Sequence, residues 1–152
     1  MKRVLVVHAT QTGRTLQLVD ALLQGLAEAG DEVVAECLCG LDAGPEAVLR
    51  ADALVIATPE NFGYMAGGIK DFLDRSFYPL EERTAGLPWL MLVSAGTDGE
   101  GAARSVERIV GGLAWRRVMP ALLCRGEPDA QMLAQARERG EVLVAGLLSG
   151  MW

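Results

Sequence analysis

At 152 residues, 51% of them apolar, the chain is long enough to bury a core and too apolar for extended disorder, so one domain over residues 1–152 is the simplest organisation. A net charge of −6 lacks the basic face that nucleic-acid binding needs, and suits solubility or docking to basic partners. No secretory leader is expected, because a strand begins directly after Lys2 and Arg3, and the longest apolar stretch, residues 142–148, is too short to span a bilayer.

Residues 4–7 are a continuous apolar run and read as a first strand. Thr10-Gln11-Thr12-Gly13-Arg14-Thr15 follows, and then a helical segment with Leu16, Val19, Leu23 and Leu26 on one face, stopped at Gly30. A second strand over 32–38 alternates apolar and polar residues, as an edge strand does. A short helix is expected from Pro45. The third strand, 53–57, leads into Thr58-Pro59-Glu60-Asn61-Phe62-Gly63-Tyr64-Met65 and a helix with Ile69, Phe72, Leu73 and Phe77 on its apolar face. The fourth strand, 89–94, leads into Ala95-Gly96-Thr97-Asp98-Gly99 and a helix carrying Val106, Ile109, Val110 and Leu113. A fifth strand, 117–123, passes by Arg125-Gly126-Glu127-Pro128-Asp129 to a last helix with Leu133, Ala136, Gly140, Leu143 and Leu147 on one face.

Strand and helix alternate five times, which predicts an α/β fold: a doubly wound parallel sheet with right-handed crossovers and helices on both faces. Ligands of such sheets sit outside the carboxyl ends of the strands, so the informative loops are those after the first, third and fourth strands. In the first, the hydroxyls of Thr10, Thr12 and Thr15 and the backbone N–H groups of 11–15 meet the start of a helix, a good seat for a phosphate. Gly13 permits the tight turn there, and Arg14 adds a positive charge. Other phosphate motifs fail. A nucleotide P-loop needs glycine where His8 stands and lysine where Arg14 stands, and no Gly-x-Gly-x-x-Gly follows the first strand. Neither Cys37 nor Cys124 has an arginine six residues on, and the first and third strands do not end in the aspartates of a phospho-receiver.

The spacing Thr-x-Thr-Gly-x-Thr resembles the FMN-phosphate loop of flavodoxins and of flavodoxin-like NAD(P)H oxidoreductases. The second loop, with Ile69-Lys70-Asp71-Phe72-Leu73-Asp74 behind it, resembles the Pro-x-x-Phe-Gly-x-Met…Lys-x-Phe-Leu-Asp stretch of flavodoxin-like NAD(P)H:quinone oxidoreductases, and its Pro-Glu-Asn opening is similar to that of NADPH-dependent FMN reductases. The resemblance implies a five-stranded flavodoxin-like sheet of order 2-1-3-4-5 with FMN bound non-covalently. It implies Phe62 and Tyr64 beside the isoalloxazine ring, backbone of Asn61 to Gly63 near its N5 in a loop opened by Pro59 and Glu60, and backbone of Ser94, Ala95, Gly96, Thr97, Asp98 and Gly99 along its pyrimidine edge. The third loop lacks the aromatic ring with which carrier flavodoxins cover the flavin, which leaves room for a nicotinamide or a quinone.

Two functions stand side by side. One is an FMN-dependent oxidoreductase passing electrons from NAD(P)H to a quinone or other small acceptor. The other is a single-electron carrier between protein partners. No catalytic side chain is required, since the flavin carries the chemistry. A chain that kept the fold and lost the flavin is a third reading. Neither His8 nor the Cys37-x-Cys39 pair has the company a metal site needs, and an odd cysteine count argues against a disulfide framework and for the cytoplasm. Lys70 and Asp74 are read as a helix-supporting pair, and Trp89, Trp115 and Trp152 as packing residues. The apolar final helix and Met151-Trp152 could also serve a homo-oligomer contact.

Overall fold

A computed structural model describes residues 1–152. In chain order the elements are β1 (Lys2–His8), α1 (Arg14–Ala27), β2 (Val33–Cys39), α2 (Pro45–Leu49), β3 (Ala53–Asn61), β4 (Tyr64–Met65), α3 (Gly67–Leu80), β5 (Pro88–Ala95), α4 (Glu100–Val110), β6 (Arg116–Arg117), β7 (Leu122–Arg125) and α5 (Ala130–Ser149). Alternate side chains of each central strand enter opposite layers. Leu5, Val7, Leu54, Ile56, Met91 and Val93 pack under α2, α3 and α4. Val4, Val6, Val55, Ala57, Leu90 and Leu92 pack under α1 and α5. The result is a three-layer α/β molecule with a parallel central sheet.

The sheet has seven strands, not the five expected, and its order is β2-β1-β3-β5-β6, with β4 paired to β3 and β7 to β5. Two departures account for this. The expected fifth strand, 117–123, is split: Arg116 and Arg117 pair with Pro88 and Trp89, and Leu122 to Arg125 pair with Leu92 to Ala95. Pro120 lies in the gap and has no N–H to give a ladder. The fourth strand, Tyr64–Met65, is a short antiparallel return on β3 that no apolar run announced. At the opposite rim β2 pairs with β1 at seven positions, and no strand lies on its outer side.

The helix faces follow the sequence pattern with one rotation. On α1 the buried residues include Leu18, Val19, Leu22 and Leu26, while Leu16 and Leu23 are only half-buried. The cause is α5, which lies directly against α1. A Cβ on Gly25 would stand 2.0 Å from the Arg137 carbonyl oxygen, and one on Gly140 would stand 2.3 Å from that of Leu22. The two backbones touch, and this contact turns α1 about its axis. Arg137 reinforces the seam by an ion pair to Glu28 at the end of α1, and is itself held by Glu141 one turn on along α5. No helix is long and apolar enough to cross a membrane.

Candidate functional site

The three loops singled out by the sequence meet along the carboxyl rim of β1, β3 and β5. Thr10 folds back so that its Oγ1 accepts the Gly13 N–H at 3.0 Å. Gly13 itself has φ 88°, a left-handed conformation that costs glycine nothing, and it delivers the chain into α1. The helix has no side-chain cap and no acidic residue in its first turn. Its leading N–H groups therefore have no acceptor of their own, and the N–H groups of Gln11 and Thr12 make no hydrogen bond within the chain. Positive potential from the helix dipole collects at this end.

The side chains of the same loop divide. Thr12 and Gln11 are exposed. Thr15 turns inward, buried, and shares a hydrogen bond of 2.7 Å with Ser94 at the end of β5. Arg14 reaches Glu127, whose Oε1 accepts from Nε at 2.9 Å. That pair draws the arginine towards the loop after β7, a contact across 113 positions that no local pattern signals. Beneath the loop, burial lowers the proton affinity of His8 below the ordinary 6.5, with Asp20 opposing, and Nδ1 has no hydrogen-bond partner.

The second loop is a β-hairpin. Glu60 pairs with Met65 and Asn61 with Tyr64, leaving Phe62 and Gly63 as a two-residue turn. Both have positive φ, 53° and 70°. A turn of this hand is ordinarily built from Asn-Gly or Gly-Gly, and a bulky residue there is strained. Phe62 is nonetheless present, with its ring fully exposed. The ring packs against nothing that would offset the strain of its backbone. The hairpin is anchored from below: Thr58, fully buried, donates to the Pro59 carbonyl and accepts the Ala66 N–H at 2.9 Å. Ser105 on α4 accepts the Met65 N–H at 3.0 Å.

The third loop is tied to the second through Glu60. One carboxylate oxygen accepts from the Thr97 hydroxyl at 2.8 Å, and the other accepts the Ala102 N–H at 3.1 Å. Glu60 thus caps α4 from a different strand. Asp98 caps the same helix locally by accepting the Glu100 N–H at 2.9 Å. Gly96 is exposed, Gly99 is buried, and Ala95 lies at the end of β5, its carbonyl accepting from Gly126. Thr58, Ser105 and Glu127 were not among the residues expected to matter. Thr58 stands just before a Pro-Glu-Asn sequence and was legible as a loop opener, whereas the other two act only through the fold.

A family described as NADPH-dependent FMN reductase matches residues 41–123, more than half of the chain. The chain belongs to that family. Its flavodoxin-like FMN-binding class thereby includes this protein, and the match covers the second and third loops but not the first. Among solved structures, a flavodoxin from the domain Archaea superposes with a TM-score of 0.83 over 96% of this chain and 99% of that one, at 16% identity. The flavodoxin-like WrbA-like protein of Agrobacterium tumefaciens gives 0.79 over 98% and 99%, at 18% identity. The flavodiiron protein of Giardia intestinalis gives 0.82 at 17% identity, with this chain spanning 98% of itself and 37% of that larger protein. These likenesses establish the flavodoxin-like fold. No curated protein sequence matches the chain.

Proposed function

We propose that this chain, acting as one domain, binds FMN at the rim described above and is an oxidoreductase that passes electrons from NAD(P)H to a quinone or other small acceptor. The observation that carries the reading is the start of α1: a row of N–H groups without acceptors, the exposed Thr12 hydroxyl, and no carboxylate in the first turn, all at the carboxyl end of a central strand. That donor set fits a phosphate dianion. Gln11, Thr12, Arg14 and Thr15 would hold the phosphate mainly through main chain, around the turn that Gly13 makes, since the Thr10, Arg14 and Thr15 side chains already have partners. Phe62 and Tyr64 would flank the ring, and the main chain of Asn61, Gly63, Gly96, Thr97 and Gly99 would meet its polar edge. Pro59, Glu60, Ser94, Ala95 and Asp98 would form the frame behind. When bound, FMN supplies the acceptance of hydride and its release as electrons; the chain supplies position, field and exclusion of water. Three unpaired thiols fit a reducing compartment such as the cytoplasm.

The test is direct. The purified protein, incubated with FMN and desalted, should retain a yellow flavin spectrum, and anaerobic NADPH or NADH should bleach it rapidly. A colourless protein after FMN loading would sink the reading. A single-electron carrier is the second reading, favoured by the net charge of −6 and by the end-to-end likeness to an archaeal flavodoxin. A flavin that dithionite reduces but neither nucleotide bleaches selects the carrier.

A further inference from the structure

Between α3 and α4 the surface opens into a groove of about 700 Å³, a volume suited to a small organic ligand. Its base is apolar, with Leu73 and Ile109 beside the half-buried Phe77 ring. Both tyrosines of the chain, Tyr64 and Tyr78, line it, and both are exposed. Aromatic rings are scarce here, 5% of residues, so three in one groove is a concentration that core packing does not explain.

The charges are as uneven. Arg104 and Arg108 stand one turn apart on α4, exposed, and neither joins any of the ion pairs of the molecule. Like charges at that spacing oppose the helix. Arg108 gains something from the negative end of the α4 dipole; Arg104, in the second turn, gains nothing. Across the groove Lys70 is held by Asp74 at 2.6 Å. Three cations thus face one carboxylate, on a chain whose overall charge is −6.

We propose that this groove binds a flat aromatic anion, a ring system bearing a carboxylate, sulfonate or phosphate. The ring lies against Phe77 and Tyr78, which Tyr64 adjoins at the mouth, and the anion is held between Arg104 and Arg108, whose planar guanidinium groups suit an oxyanion. A neutral ring would leave both arginines unused, and an acidic peptide would leave the aromatic walls unused. Tyr64 belongs to the same hairpin as Phe62, so the groove opens beside the candidate FMN site. Binding itself needs no flavin, and the proposal stands independently of the FMN reading.

The probe is 2-naphthoate, titrated calorimetrically into the full chain with and without saturating FMN, against its neutral counterpart 2-naphthamide. The expected result is saturable one-to-one binding in both conditions. The amide, R104A and R108A should each bind about tenfold more weakly, because each removes a charge-assisted contact. Y78A should weaken binding severalfold. All three side chains are exposed, so the variants should melt with the native protein; R104Q and R108Q replace any that do not. No saturation, equal binding of acid and amide, undiminished binding by the R104A/R108A double variant, or displacement of naphthoate by FMN would each overturn the proposal. Failure of FMN to bind alongside intact naphthoate binding would sink the flavin reading alone.

Discussion

The start of α1 and the pair of loops beyond it use hydrogen bonds in opposite ways. On either side of Gly13 the N–H groups of Gln11 and Thr12 and those of the first helical turn are left without acceptors, and the exposed Thr12 hydroxyl has no partner. Across the rim, Glu60 joins Thr97 and Ala102, Ser105 holds Met65, and Thr58 holds Ala66, so the base of the hairpin is pinned by hydrogen bonds inside the protein. The first region is built to receive charge. The second is a fixed frame that presents one ring, Phe62, and main chain. A ligand with an anionic tail and a flat head would meet unsatisfied donors at one end and a pre-formed surface at the other, and neither end would have to reorganise greatly to hold it.

That contrast can be broken or sharpened by substitution. The largest effect is expected from Gly140→Val, which drives a branched side chain into the Leu22 carbonyl at the α1–α5 contact. A loss of about 3 kcal/mol or more in urea unfolding should follow, with the α1 terminus displaced along with it. Thr12→Asp comes next. A carboxylate at the anion seat should weaken FMN binding by about 2–4 kcal/mol in a fluorescence titration, with little change in melting temperature. Glu60→Ala should do the reverse: about 1–2 kcal/mol of stability lost with its two hydrogen bonds, and a smaller change in affinity. If Thr12→Asp and Glu60→Ala changed stability and affinity in the same proportion, the division of labour would be wrong.

Phe62→Asn should raise stability by about 0.5–1 kcal/mol by relieving the left-handed turn, while weakening retention of the flavin. The smallest effect concerns His8. Burial lowers its folded-state proton affinity, so the unfolded chain binds more protons below the ordinary 6.5. Its contribution to stability is complete above that value and declines as pH falls towards the lower folded value. Denaturant midpoints between pH 7 and 5 should drop less in His8→Gln than in the native chain.

Much of this was readable in the residues. The strands covered on both faces are unbroken apolar runs, and glycine, threonine and proline marked the three loops in the right order. What escaped had physical causes. Phe62 in a turn that favours asparagine contradicts local preference, so the hairpin and its β4 strand were invisible. The capping of α4 by Glu60 spans 42 positions, and the ion pair of Arg14 spans 113; local pattern carries no trace of either. Pro120 was visible, but the apolar residues around it outweighed the break it makes in the last strand. The face of α1 was displaced because a glycine contact, not the periodicity of leucines, sets how the helix rolls.

The split strand has a consequence for how the protein behaves at high concentration. At that rim the ladder is interrupted between Arg117 and Leu122, and a neighbouring molecule would find no continuous row of amides to copy. Uninterrupted β2 offers such a row along seven residues, with Val34 and Cys37 turned towards solvent and the Arg50–Glu36 ion pair beside them. Fibrillar growth, should stressed or stored samples show it, would begin at that single vulnerable border, and a lysine in place of Val34 would be the simplest guard against it.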